Sequence, residues 1–164
     1  DTLIKKKWIY NFNNKILSLE YDFKNLYHLS ENIRHSSITL NPNNFEKKNL
    51  FFSTHNGGDK LERFNIKSNE EIDHLKRVSH ITSSTTCQGM TEGIFEIGDE
   101  NKKIILEIEK KENALIPFVQ YFPIKNSYFY RIIFSSKEHD ETSLFNENYR
   151  FNTRINISSE KTKK

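Results

Sequence analysis

Three segments of this chain alternate apolar and polar residues with a period of two: Leu17-Leu19-Tyr21-Phe23, Ile104-Leu106-Ile108 and Phe151-Thr153-Ile155-Ile157. Successive side chains of a strand point to opposite faces, so this alternation predicts strands with one buried and one wet face. The segments between them are polar loops rich in Asn, Lys, Ser and Glu, and no catalytic constellation lies among them. The pattern predicts a β scaffold whose loops carry the work, by binding rather than by catalysis.

At 164 residues the chain is long enough for one domain with a real core. Only 35% of residues are hydrophobic, but 13 Phe, 7 Tyr and one Trp supply large buried area per residue. The expected organisation is a single β sandwich over 1–158, followed by a charged, disordered tail over 159–164. Residues 8–12 and 15–23 read as two strands joined at Asn13-Asn14, because Asn tolerates the positive φ of tight turns. Further strands are predicted over 37–40, 50–54 and 61–67, with a turn at His55-Asn56-Gly57-Gly58-Asp59. They continue over 93–97, 103–110, 114–122, 128–134 and 149–158, ten candidate segments for an expected eight or nine strands. Pro117 places its strand at a sheet edge or a bulge. Leu26, Leu29 and Ile33 have the spacing of a short helical turn. Ser68 and Glu71 have the spacing of a capping box, and the stripe Ile72, Leu75, Val78 then predicts the one short helix.

Charge excludes little but ranks partners. The net charge is +3, from 25 Lys and Arg against 22 Asp and Glu, with signs interspersed as in Glu107-Ile108-Glu109-Lys110-Lys111-Glu112. Nucleic acid is not an expected partner, since phosphate binding wants a one-sided basic face. Cys87 is the single cysteine, so no intramolecular disulfide can form. With His80 or His74 it could recruit a base, but a bland cysteine in a Ser/Thr-rich loop is the expected reading. His28 and His35 lie seven apart outside any clear helix, and no metal site or cofactor is expected. Glu70-Glu71 reads as acid in a helical first turn, and Glu107/Glu109 as a wet strand face. Gly57-Gly58 lacks the Lys-Ser/Thr of a phosphate loop and reads as a hairpin turn. The run Phe118, Tyr121, Phe122, Tyr128, Phe129, Tyr130, with Lys125 and Arg131, has the composition of a base-stacking platform. Core packing of two adjacent strands explains most of it, with Pro117 and Pro123 marking an exposed excursion. No apolar run approaches the ~20 residues of a membrane span. Asn156-Ile157-Ser158 is one glycosylation sequon. The chain opens at Asp1, which suggests a processed fragment and leaves secretion open.

Two loops and their order resemble the chagasin-like inhibitors of papain-like cysteine proteases, in particular the divergent malaria-parasite branch with enlarged loops. The first is Leu40-Asn41-Pro42-Asn43-Asn44-Phe45, which keeps the family's Asn-Pro but has Asn-Asn in place of Thr-Thr-Gly. The second is Gln88-Gly89-Met90-Thr91-Glu92-Gly93, which runs into the strand Ile94-Phe95-Glu96-Ile97 with one Gly of the usual pair. The third would fall after Ile108, where Asn113, Ala114 and Leu115 are the candidates, without the family's Arg-Pro-Trp. Residues 118–134 would then be an inserted hairpin. The resemblance implies an immunoglobulin-like β sandwich with enlarged loops and one short helix. It further implies a reversible inhibitor that wedges three loops into the protease cleft as a 1:1 complex, in a secreted or vesicular compartment. Pro42 would stiffen the first loop, and Gly89 would let backbone approach the enzyme. A different class stands beside it: a non-enzymatic scaffold or lipid-head-group module of pleckstrin-like or lipocalin-like build. Alternation over 149–158 speaks against the pleckstrin-like helix.

Overall fold

The computed structural model describes residues 3–24, 33–73, 88–109, 115–137 and 151–162, excepting the side chains of Leu3, Lys24, His35, Lys137 and Phe151. These residues form ten strands: β1 (Leu3–Asn11), β2 (Ile16–Lys24), β3 (Ile33–Thr39), β4 (Phe51–Thr54), β5 (Glu62–Asn65), β6 (Ile94–Gly98), β7 (Lys102–Ile108), β8 (Ile116–Ile124), β9 (Ser127–Lys137) and β10 (Phe151–Lys161). A 3-10 turn, Lys47–Asn49, is the only helical element among the described residues. The strands pair antiparallel in a seven-stranded sheet, β1-β2-β10-β7-β6-β4-β5, and a three-stranded sheet, β3-β9-β8. The two form an all-β, sandwich-like arrangement.

Alternation decides the inward faces. Leu19, Tyr21 and Phe23 of β2 are buried together with Phe95, Ile97, Leu106, Ile108 and Ile155 of the same sheet. Their register partners on the other face are polar. There, Glu20 accepts from Arg154 and pairs with Lys7 at 3.6 Å, and Ser18 donates to Asn156 at 2.7 Å. The Arg154 hydrogen bond, the largest influence, holds the Glu20 carboxyl below its usual range. The smaller sheet contributes Val119, Tyr121, Tyr128, Tyr130, Ile132 and Phe134, none more than 2% exposed. The tyrosines also tie the layers together, because a buried phenol needs an acceptor. Tyr130 donates to the Phe51 carbonyl at 3.0 Å, Tyr121 to that of Ser68 at 2.9 Å and Tyr128 to that of Phe45 at 3.1 Å.

Several expectations change here. Most of residues 118–134 is layer rather than excursion: β8 and β9 make up most of the second layer and Phe118 is buried, while the ordered tip at Ile124, Lys125 and Asn126 is exposed. The edge position expected from Pro117 does hold. Tyr121 turns its N–H and C=O away from β9, to Ile72, at 2.7 and 2.8 Å. Pro117 and Pro123 share that parity, so their missing N–H groups leave the β8–β9 ladder intact. Ile72 is therefore a β-bridge residue and not the first turn of a helix, while Leu75 and Val78 lie outside the described residues. The residues around the capping-box pair make another structure: Glu70 N–H bonds Lys67 C=O at 3.0 Å and the Glu70 side chain meets Lys67. A second backbone segment takes up the Ile72 amide, which outweighs a local helix signal. Ile33 opens β3 instead of closing a helical turn, and Leu26 and Leu29 lie outside the described residues. In the β1–β2 turn the left-handed residue is Lys15 (φ 56°), since Asn11 and Asn14 spend their side chains on the amides of Asn13 and Ile16.

The charged segment after Ser158 is ordered as far as it is described. β10 pairs with β7 through Lys161–Lys102, and Thr162 N–H bonds Asn101 C=O at 3.0 Å. Asp99 organises that end. Its carboxylate accepts from the amides of Asn101, Lys102 and Glu46 at 2.8, 2.9 and 2.7 Å, and its carbonyl accepts from Thr162 at 2.9 Å. Gly98 makes the turn feasible, because a Cβ there would lie 2.3 Å from the Lys102 carbonyl oxygen.

Candidate interaction surfaces

Strand polarity decides which loops can work together. Residues 88–93 enter β6 at Ile94, beside the Thr54 end of β4. There Thr54 Oγ1 donates to Gly89 C=O at 2.7 Å, and Asn56 accepts from Gly89 N–H at 2.9 Å. The His55 carbonyl accepts both N–H and Oγ1–H of Thr91, each at 2.9 Å. Met90 packs against the core, and Glu92 is exposed. Residues 41–45 enter β4 at its other end, beside Gly98, Lys102 and Asp99. Asn41 accepts from Asn43 and Asn44 amides at 3.0 Å, and Phe45 lies under Lys102. Pro42, Asn43 and Asn44 are exposed. The two loops thus sit at opposite ends of β4 and β6, about 13 Å apart along five residues of β6. A wedge needs them at one end.

The described flanks of the third expected loop lie beside residues 88–93, since Ile108 N–H bonds Gly93 C=O and Gln88 N–H bonds Pro117 C=O. Leu115, however, is a core residue at 4% exposure, and Asn113 and Ala114 lie outside the described residues. Gly89 also has a different reason from the one expected. A Cβ there would lie 2.4 Å from Asn56 Oδ1 and 3.0 Å from its Cα, so the glycine accommodates Asn56 of this chain. Cys87, His28, His74 and His80 lie outside the described residues. Glu107 and Glu109 lie on the wet face as expected, with Glu109 3.4 Å from Arg154, and Gly57-Gly58 lies in the connection from β4 to β5. The wet face also holds a cavity of ≈ 280 Å³ lined by Phe51, Arg63, Glu96, Lys103 and Glu160. There Lys103 pairs with Glu96 and Glu160, and Arg63 stacks 3.9 Å over the Phe51 ring.

A surface that the loop argument missed lies on β1. Directly paired residues share a sheet face, and Ile4, Lys6, Trp8 and Tyr10 pair with Phe23, Tyr21, Leu19 and Leu17. They therefore belong to the core face. Yet Phe23 and Leu19 are 5% and 4% exposed, whereas Ile4 and Trp8 are 59% and 58% exposed. Among the described residues the second layer leaves the inner face of β1 uncovered, so that face overhangs it. Tyr10 and Phe12 extend the patch, their rings edge to face at 4.8 Å, with Phe12 82% exposed. Lys6 lies over both Trp8 and Tyr21, at 4.6 and 5.2 Å from the ring centroids. Among the described residues no strand pairs with the outer edge of β1. The sequence carries the signal in the alternation Ile4, Trp8, Tyr10, Phe12, which by itself reads as another core face.

No family model, curated protein or solved structure matches this chain.

Proposed function

We propose that this protein is a non-enzymatic protein-interaction module whose working surface is the overhanging inner face and free edge of β1. One observation carries the reading: a core-facing aromatic row that the second layer leaves in solvent. A contiguous apolar patch beside an unpaired strand edge is the kind of surface that takes up an extended segment, with backbone pairing supplying affinity and alternate side chains supplying selectivity. Selection of random peptides on immobilised protein tests it. Enriched peptides are expected to be extended sequences with apolar residues at alternate positions, and Trp8→Ser should weaken them about tenfold or more. Equal binding to the Trp8→Ser variant would sink the reading.

A second reading rests on the pinned 88–93 loop. It is a one-ended inhibitor of papain-like proteases, with Gln88, Gly89, Met90, Thr91 and Glu92 presented in a loop ordered before binding, which lowers the entropic cost of association. Titration against papain with a fluorogenic peptide tests it. Stoichiometric inhibition, weakened in Gly89→Ala and unchanged in Trp8→Ser, is expected. Full protease activity at saturating protein removes it.

A further inference from the structure

We infer that the cavity on the outer face of the seven-stranded sheet binds a small organic carboxylate, received by the Arg63 guanidinium and the Ser53 hydroxyl. This site is independent of the β1 surface, because β1 and β5 are opposite edges of that sheet.

The outer face should be wet wherever alternation holds, and at β4 it is not. Phe52 packs in the core, so its neighbours Phe51 and Ser53 face outward, yet they are 2% and 3% exposed. Glu96, paired with Ser53 across the ladder, is 8% exposed. The register accounts for the hollow above these residues. One outer row runs Phe51, Gly98, Lys103, Glu160 across β4, β6, β7 and β10, and Gly98 contributes no side chain to it. Phe51 and Lys103 therefore stand two strand spacings apart, about 10 Å, with no side chain of that row between them. The neighbouring row runs Arg63, Ser53, Glu96 across β5, β4 and β6. With Lys161 and Thr162 at the end of β10, these residues enclose the ≈ 280 Å³. A buried floor under a few convergent polar groups is the form of a small-molecule site, and pockets for drug-sized ligands begin at about 300 Å³.

Charge selects an anion. The lining holds three cations, Arg63, Lys103 and Lys161, against two carboxylates, Glu96 and Glu160. Lys103 is committed, since its ammonium pairs with the Glu96 carboxylate and lies 4.0 Å from that of Glu160. Among the described residues no carboxylate pairs with Arg63 or Lys161. Arg63 is also held in place: its Nε donates to Asn65 Oδ1 at 3.2 Å, and the guanidinium lies 3.9 Å over the Phe51 ring. Its terminal nitrogens stay open as a fork that matches a carboxylate. Ser53 is its direct partner across the β4–β5 ladder, with Cβ atoms about 5 Å apart. The Ser53 hydroxyl makes no hydrogen bond among the described residues and is a second donor. A monoanion offsets the one excess positive charge, whereas a cation would meet Arg63 and Lys161 with no carboxylate to spare for it.

Titration of the full isotope-labelled chain with acetate, butyrate and benzoate, followed through backbone amide shifts, provides the test. Saturable shifts are expected at Ser53, Arg63 and Glu96. Butyramide and benzamide, the uncharged counterparts, should bind at least about tenfold more weakly. Arg63→Gln should cost carboxylate binding about tenfold or more, and Arg63→Lys, which keeps the charge but not the fork, should recover part of the loss. Glu160→Gln removes a carboxylate from the rim and should tighten binding about two- to fivefold. The Glu160 side chain is 59% exposed, so this variant keeps its fold whatever Arg63→Gln does to stability. Trp8→Ser should bind the carboxylates as the parent does. No saturation with any of the three carboxylates, amides that bind equally well, or no tightening in Glu160→Gln would each overturn the inference. A chain that selects peptides through Trp8 but binds no carboxylate would leave the interaction-module reading standing without this site.

Discussion

Leu106→Ala is expected to remove about 2–5 kcal/mol of folding stability, the range for truncating a well-packed core leucine. Leu106 has no exposed surface and sits in register between Phe95 of β6 and Ile157 of β10, under the second layer. The surrounding rings are held by their own backbone ladders, so the site has little freedom to collapse and most of the lost contact remains as a cavity. Denaturant unfolding followed by far-ultraviolet circular dichroism measures the loss. Tryptophan emission is the wrong probe, because Trp8 is exposed in the folded chain. A loss below about 1 kcal/mol for Leu106→Ala would mean that the two layers do not close over this position.

Raising the pH above 10 should destabilise the fold steeply through the tyrosines that tie the layers together. Burial first, then the Asp99 charge and Tyr121, push the Tyr128 phenol up to about 12. Burial raises Tyr121 as well, and burial together with Tyr128 raises Tyr130 well above the ordinary value of 10. A tyrosine loses its proton to become charged, so a raised folded value means that the unfolded chain releases its proton first. Stability is therefore fully present below pH 10 and is lost as pH climbs through the folded values. For Tyr128 the slope is about 1.4 kcal/mol per pH unit between 10 and 12, or about 3 kcal/mol in all. Tyr128→Phe should flatten that fall by this slope while giving up the bond to Phe45. Denaturation midpoints that stay level from pH 9 to about 11.5 would show that these phenols titrate without unfolding the chain.

The sequence by itself determined which residues alternate, and therefore which faces of β2, β7 and β10 turn inward. Leu17, Leu19, Tyr21 and Phe23 share a face because the period of a strand is two, whatever the rest of the chain does. It also confined the Pro117 strand to a sheet edge or a bulge, since proline has no N–H to give a neighbour, and the pairing of β8 with β9 alone decided for the edge. Interspersed charge and a single cysteine were equally plain from composition. What the second layer covers is not local information. Ile4, Trp8 and Tyr10 share a sheet face with Phe23, Leu19 and Leu17, yet among the described residues the β2 row is covered and the β1 row is surface. The end of the sandwich at which a loop emerges depends on strand polarity and pairing, which separated Asn41-Pro42 from Gln88-Gly89 although their order along the chain had joined them. Ile72 shows the same limit from the other side. Its capping-box context is a local preference worth about 1 kcal/mol, and a backbone pair with Tyr121, formed only once β8 is in place, outweighs it.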